Sequence, residues 1–226
     1  MTLAHGPSTV FNGLMFCVDP ANIRSYPGSG STIYDLGPTG QQGTNSGTIT
    51  STNQGVMTFN GSQRVNFGTS FTNLDASDMT MLAWIYPTSL AQTTIIDKDS
   101  DVNQGWGYWM QNNGKQWFWP NSNQDIKDAS SLSAPANTWT QVCTTWGFSS
   151  KTATFYYNGV LGSSITNASA SPGGSSAAIQ LAIGQFRNGG GAGFVGNIGP
   201  VMLYNRVLSI TEIQQNFSSL RYRYGI

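Results

Sequence analysis

The fold class this sequence predicts is all-β: an antiparallel sandwich of two sheets in a single domain. Three observations predict it. Short runs rich in β-branched and aromatic residues recur along the chain, separated by clusters of Gly, Asn, Ser and Pro, which is the pattern of strands and turns. No helical periodicity is interleaved between them, so a parallel βαβ architecture is excluded. The composition supplies the third: 226 residues suffice for a sizeable core, and the 27 Gly account for a hydrophobic fraction of only 38%. With 12% aromatic and 9% charged residues, the chain is the opposite of a disordered one.

Taken in order, strands are expected at 14–19, 55–59, 64–67, 79–86 and 93–96. Between 28 and 55 the chain is mostly Gly, Ser, Thr, Asn and Gln, which reads as loops with short edge strands. Strands 106–111 and 115–119 flank Asn113-Gly114, a favoured two-residue type I′ turn. That turn pairs Met110 with Trp117 and Tyr108 with Trp119. One face of the hairpin would then carry Trp106, Tyr108, Met110, Trp117 and Trp119, and the other Trp109, Gln111, Gln116 and Phe118. Strands 138–146 and 153–157 follow, the latter turning at Asn158-Gly159 into 160–165. A loop at 169–176 and strands at 179–183 and 194–204 complete the β region. Ser209-Ile-Thr-Glu212 is a capping box, with Leu208 and Ile213 placed as a hydrophobic staple. Ile210, Ile213, Phe217 and Leu220 recur at helical spacing, so one helix is expected from about 210 to 220.

Composition also removes whole classes of function. Lys+Arg and Asp+Glu number 10 each, so the chain lacks the basic footprint of a nucleic-acid binder. No run approaches the roughly 18 apolar residues of a membrane span, and residues 1–7 show no secretory signal. Cys17 and Cys143 lie in strand-like runs and read as buried thiols rather than a bridge or a nucleophile. With His5 as the one His, no zinc site or nucleophile–base pair has recognisable spacing. Glycoside hydrolysis needs two carboxyl groups, about 5–5.5 Å apart for retention or 6.5–9.5 Å for inversion. Glu212 is the only Glu, and the capping box already explains it. No Asp alternates within a strand beside aromatic neighbours. The expectation is that the protein is not an enzyme and needs no cofactor.

Two candidate sites remain. Trp109, Gln111, Gln116 and Phe118 would combine flat apolar surface with amide donors and acceptors. That mixture suits stacking on a sugar ring, contact with another protein, or cover by a loop of the same chain. Asp97-Lys-Asp-Ser-Asp101 resembles the opening of a calcium loop, through Asp97, Asp99 and Asp101. Val102 then stands where the loop needs Gly, and Tyr108 where it needs a bidentate Glu. The run is either a weak calcium site or a solvated strand-end loop.

Several motifs, in order, carry a family resemblance. They begin with Gly13-Leu-Met-Phe-Cys-Val-Asp-Pro-Ala-Asn22, Ser25-Tyr-Pro-Gly-Ser-Gly30 and Tyr34-Asp-Leu36. Thr58-Phe-Asn-Gly-Ser62, Leu82-Ala-Trp-Ile85, Trp139-Thr-Gln-Val142, Tyr156-Tyr-Asn-Gly159 and Gly196-Asn-Ile198 follow. Leu203-Tyr-Asn-Arg-Val-Leu-Ser209 and the segment Asn216 to Ile226 close the chain. Together they resemble the laminin-G-like, concanavalin-A-type jelly rolls. The resemblance implies a two-sheet jelly roll whose C-terminal helix caps the rim. Fold alone says little about function, because glucanases, lectins and adhesion modules share it. The two-Glu catalytic pattern of the related glucanases is missing.

The opening and closing segments are similar to versions carried by tailed phages, cyanophage-like ones among them. They imply an accessory virion protein: capsid decoration, head fibre or tail-associated. Its partners would be other virion subunits, further copies of itself and a host-surface glycan; a free lectin is the alternative. Residues 1–12 read as an N-terminal arm ahead of a domain spanning 13–226. Met1, Leu3, Val10 and Phe11 give the arm apolar surface to bury against a neighbouring subunit. A disordered tail or an added edge strand are the other readings.

Overall fold

The computed structural model describes residues 7–46, 55–69, 74, 76–99, 105–120, 125–170, 178–186 and 192–226. In chain order the first strands are β1 (Leu14–Val18), β2 (Thr32–Tyr34), β3 (Gln42–Asn45), β4 (Met57–Asn60) and β5 (Val65–Asn66). Next come β6 (Met79–Pro87), β7 (Thr93–Asp99), β8 (Gly105–Met110), β9 (Gln116–Trp119) and β10 (Ile126–Lys127). The last are β11 (Thr140–Gly147), β12 (Thr152–Tyr157), β13 (Val160–Thr166), β14 (Ala182–Ile183) and β15 (Val195–Tyr204), before helix α1 (Ile210–Leu220). All pairings are antiparallel. One sheet runs β1-β15-β6-β11-β12-β13 with β4 also on β15; the other runs β10-β9-β8-β7-β14-β5-β3-β2. This is the two-sheet antiparallel sandwich that the strand pattern predicts, in the concanavalin A-like jelly-roll form that the family resemblance implies.

The helix over the first sheet explains why β6 and the second half of β15 are apolar without alternation. Along β6, Met79, Met81, Ala83 and Ile85 point between the sheets, whereas Leu82 and Trp84 point out beneath α1. Along β15, Val201 and Leu203 point inward and Met202 and Tyr204 outward. A strand buried on both faces reads as one continuous apolar run. Cys17 and Cys143 are free and buried in the outer of these two cores. Burial pushes the Cys17 thiol up to about 12, and Cys143 higher still, so both are inert at neutral pH.

Helix α1 begins where expected. Ser209 Oγ accepts from the Glu212 N–H at 3.3 Å, and the Glu212 carboxylate accepts from the Ser209 N–H at 2.9 Å. Its buried stripe is Ile213, Asn216 and Leu220, with Phe217 half-buried beside it. Ile210 is 41% exposed, and Asn216 is fully buried in its place. The Asn216 carbonyl accepts from the Val10 N–H at 2.8 Å, and its amide donates to Tyr204 Oη at 3.1 Å. Tyr204 in turn donates to the Val10 carbonyl, and Gln215 to that of Ser8. Residues 8–12 of the expected arm are thus seated on this chain's own helix and on β15, with Phe11 70% exposed. Met1 and Leu3 lie outside the described residues.

Both Asn-Gly hairpins form, with different turns. Asn158 and Gly159 have φ of 51° and 74°, both in the left-handed region as in a type I′ turn, and Tyr157 pairs with Val160 across the expected hairpin. At Asn113-Gly114 only Gly114 has positive φ, 77°. Gln111 bonds Lys115 at 2.8 Å across a three-residue loop, and Asn113 uses its side chain to accept from the Lys115 N–H. One more loop residue shifts the register by one, and a one-residue shift exchanges the faces of a strand. The observed pairs are Tyr108 with Phe118, Trp109 with Trp117 and Met110 with Gln116.

Candidate functional site

That shift corrects the predicted ligand face. Gln116 and Phe118 point between the sheets with Trp106, Tyr108 and Met110, whereas Trp117 and Trp119 point outward with Trp109. Gln116 is fully buried and committed to internal bonds. Its carbonyl accepts from the Tyr108 hydroxyl and, at 2.9 Å, from Thr144; its amide donates to the Tyr156 carbonyl at 2.8 Å. The Tyr157 hydroxyl accepts from the Gln116 N–H and donates to Asp128. Burial alone would raise the Asp128 carboxyl, but hydrogen bonds from Ser163, Ser130 and Tyr157 outweigh it and hold the group low. Gln111 sits at the hairpin end and donates to the Gln116 backbone carbonyl. The four predicted residues therefore do not share a surface.

Trp109 does lie on the outer face, but it is 4% exposed. Its indole stacks on Trp119 at 4.7 Å between centroids and meets Trp117 and Phe186 edge-on. It covers Gly107, where an added Cβ would lie 2.7 Å from the indole nitrogen, and that nitrogen donates to Asp97 at 3.1 Å. Lys127 stands 4.3 Å above Trp117. The cluster is a packed unit in which Trp109 leaves no ring face for a sugar.

The predicted calcium residues are divided as well. Asp97 and Asp99 are buried side by side on the outer face of β7, where Asp97 accepts from Trp109 and from the Asp99 N–H. Lys98 points the other way and donates to the Ile179 carbonyl at 2.8 Å. Asp101 lies outside the described residues. Among the described residues no three His, Cys, Asp or Glu side chains stand together to hold a metal.

The open part of this sheet is at its other end. A row of cross-strand partners runs over the outer face from Thr44 through Asn66, Ala182, Asp97 and Gly107 to Trp119. Four strand spacings, roughly 19 Å, separate the Asn66 strand from the Trp119 strand. At the Asn66 end, a groove of about 430 Å3 is lined by Gln41, Gln42, Thr44, Arg64, Asn66 and Gln180. On β3 and β5 the alternation is clean: Val65 enters the core and Gln42, Thr44 and Asn66 face out. Asn66 and Gln180 are joined amide to amide, and Asn66 accepts from the Gly68 N–H at 3.0 Å. Side-chain amides and hydroxyls both donate and accept, so this surface can read the hydroxyl pattern of a polar ligand.

The sequence reading did not find this groove. Its residues come from three separated stretches, around 41–46, 64–68 and 180. The one local signal was the alternation of Gln42, Gly43 and Thr44 inside a segment read as loop with edge strands.

The family model of the concanavalin A-like lectin/glucanases superfamily matches residues 59–214. Comparison with curated protein sequences gives no match. Among solved structures, the binding domain of botulinum neurotoxin DC, in complex with rat synaptotagmin II, is similar with a TM-score of 0.70 at 17% identity. That match covers 93% of this chain and 52% of the other. The Trypanosoma rangeli sialidase in complex with the inhibitor DANA has a TM-score of 0.70 at 14% identity, over 99% of this chain and 35% of the sialidase. The botulinum neurotoxin serotype D binding domain has 0.68 at 14%, over 91% and 51%. This chain spans about half of the neurotoxin domains and about a third of the sialidase. At such identities the likeness is one of fold.

Proposed function

The chain belongs to the concanavalin A-like lectin/glucanases superfamily, and from that premise we propose that it is a non-catalytic adhesion domain that binds glycans. The observation that carries this reading is the groove beside Asn66, open and lined by amides and hydroxyls. Its volume falls within the range of about 300–1,000 Å3 typical of small-ligand sites. Two of the similar structures are binding domains, which agrees with such a role. The absence of catalysis is supported by how the acids and thiols are used. Glu212 is held by Arg206 and the helix cap, Asp97 by Trp109, and both Cys are buried.

Glycan-array binding of the chain, compared with Gln42→Ala and Gln180→Ala, tests the proposal. Each loss of a hydrogen bond should weaken binding about fivefold at unchanged melting temperature. Native affinity in both variants would remove the groove from the function. Turnover of any glycan, abolished by one Asp substitution, would overturn the non-catalytic part.

The setting we propose is the surface of a tailed-phage particle, with other virion subunits and further copies as neighbours. It rests on the resemblance of the segments 13–22 and 216–226 to phage versions of the fold. Mass spectrometry of purified particles tests it, and particles without the chain would leave the free lectin as the reading.

A further inference from the structure

Arg64 gives the groove a charge, and four other cations show how a partner would answer it. Arg206 is paired with Glu212 at 2.6 Å, Arg223 with Asp19 at 2.8 Å and Lys127 with Asp125 at 3.1 Å. Lys98 is satisfied by the Ile179 carbonyl. Among the described residues, Arg64 lines the groove with no such partner. Its backbone carbonyl accepts from Ser46, but its Nη1 is shielded from solvent and makes no hydrogen bond. The described groove residues around it are neutral, among them Gln41, Gln42, Thr44, Asn66 and Gln180, with no carboxylate among the described lining side chains.

A guanidinium is permanently charged and presents its N–H groups as a planar fork, the geometry that matches a carboxylate. The amides beside it cannot neutralise a charge, yet they supply donors and acceptors suited to hydroxyls. One fixed cation within a ring of neutral amides is complementary to one carboxylate on a polyhydroxylated body.

Building on the glycan-binding reading, we propose that the groove selects carboxylated sugars, with Arg64 taking the carboxylate and Gln42, Asn66 and Gln180 the hydroxyls. The charge on Arg64 sets the preference, and the amides set which hydroxyl pattern fits beside it.

The test compares oligogalacturonate with its methyl ester by calorimetry on the full chain, and then on Arg64→Gln. The native chain should bind the acid about tenfold more tightly than the ester, since the ion pair with the guanidinium is replaced by a bond to an uncharged carbonyl. Arg64→Gln should abolish that preference, so that acid and ester bind alike. Equal binding of acid and ester by the native chain would overturn the proposal and leave glycan binding intact. Binding of neither, nor of any sialylated glycan, would overturn the proposal, and an array on which no glycan binds would overturn the glycan reading itself. A polyglutamate peptide that binds as tightly as the acid sugar would show that the groove reads charge alone. The acid–ester comparison needs no variant, so it decides even if Arg64→Gln fails to fold.

Discussion

Arg223 Nη1 donates to both carboxylate oxygens of Asp19, at 2.9 and 2.8 Å, across 204 residues of sequence. Asp19 closes β1 and Arg223 lies in the 3-10 turn Arg221–Tyr224 that follows α1. The pair therefore ties the opening and closing motifs of the family resemblance to each other. Asp19 organises more than one partner, since it also accepts from the Ala21 N–H. Beside the turn, Tyr224 stacks on Trp84 of β6 at 4.4 Å, which anchors the same corner to the centre of the sheet.

Asp19→Asn should destabilise the protein by ~2 kcal/mol, between the values for exposed and fully buried pairs. Urea unfolding of Asp19→Asn, Arg223→Gln and the double variant measures this. A coupling energy near zero would mean that the two residues act independently.

The helix cap should respond to acid. Arg206 and the Ser209 N–H hold the Glu212 carboxyl at about 2, down from its ordinary 4.5. The folded chain thus binds this proton more weakly than the unfolded chain. The stabilisation is complete above 4.5 and is lost as pH falls through about 2. For a partly exposed pair it should amount to ~1 kcal/mol. Glu212→Gln should lower stability by that amount at pH 7 and flatten this part of the pH profile. A profile identical to that of the native chain would exclude Glu212 as its source.

Trp109→Ala should be a stability variant. It removes a buried ring that covers Gly107, stacks on Trp119 and satisfies Asp97, and a cost of ~3 kcal/mol or more follows from such a deletion. Thermal unfolding should shift strongly, while glycan affinity of the folded fraction stays native. Loss of affinity with unchanged stability would return Trp109 to the binding site.

Asn216→Ala should release the residues before β1. The change removes the acceptor of the Val10 N–H and the donor to Tyr204, for ~1–3 kcal/mol. Hydrogen exchange at Val10 should accelerate well beyond exchange in β6. Unaltered protection would mean that Val10 is held by its apolar contacts alone.

Elements with a local cause were legible in the sequence. The capping box needs only Ser209 and Glu212, and both bonds form as read. The apolar runs Met81–Ile85 of β6 and Val201–Tyr204 of β15 announced buried strands, because a strand lying between two cores presents apolar side chains on both faces. At Asn158-Gly159 the turn chemistry alone set the register.

Asn113-Gly114 has the same turn dipeptide, and there the tertiary structure decided. Tyr108, Met110 and Phe118 fill the space between the sheets, and Gln116 meets Thr144 and Tyr156 of the opposite one. Those contacts require one more residue in the loop, and the predicted ligand face dissolves with it. The groove lay further from reach, since Gln42, Arg64 and Gln180 converge only when β3, β5 and the approach to β14 lie side by side. The sequence by itself determined the class of fold, the helix and its cap, because alternation, turn dipeptides and capping are interactions between near neighbours. Which side chains reach the surface together was decided by the tertiary structure alone, because cross-strand register depends on packing between residues far apart in the chain.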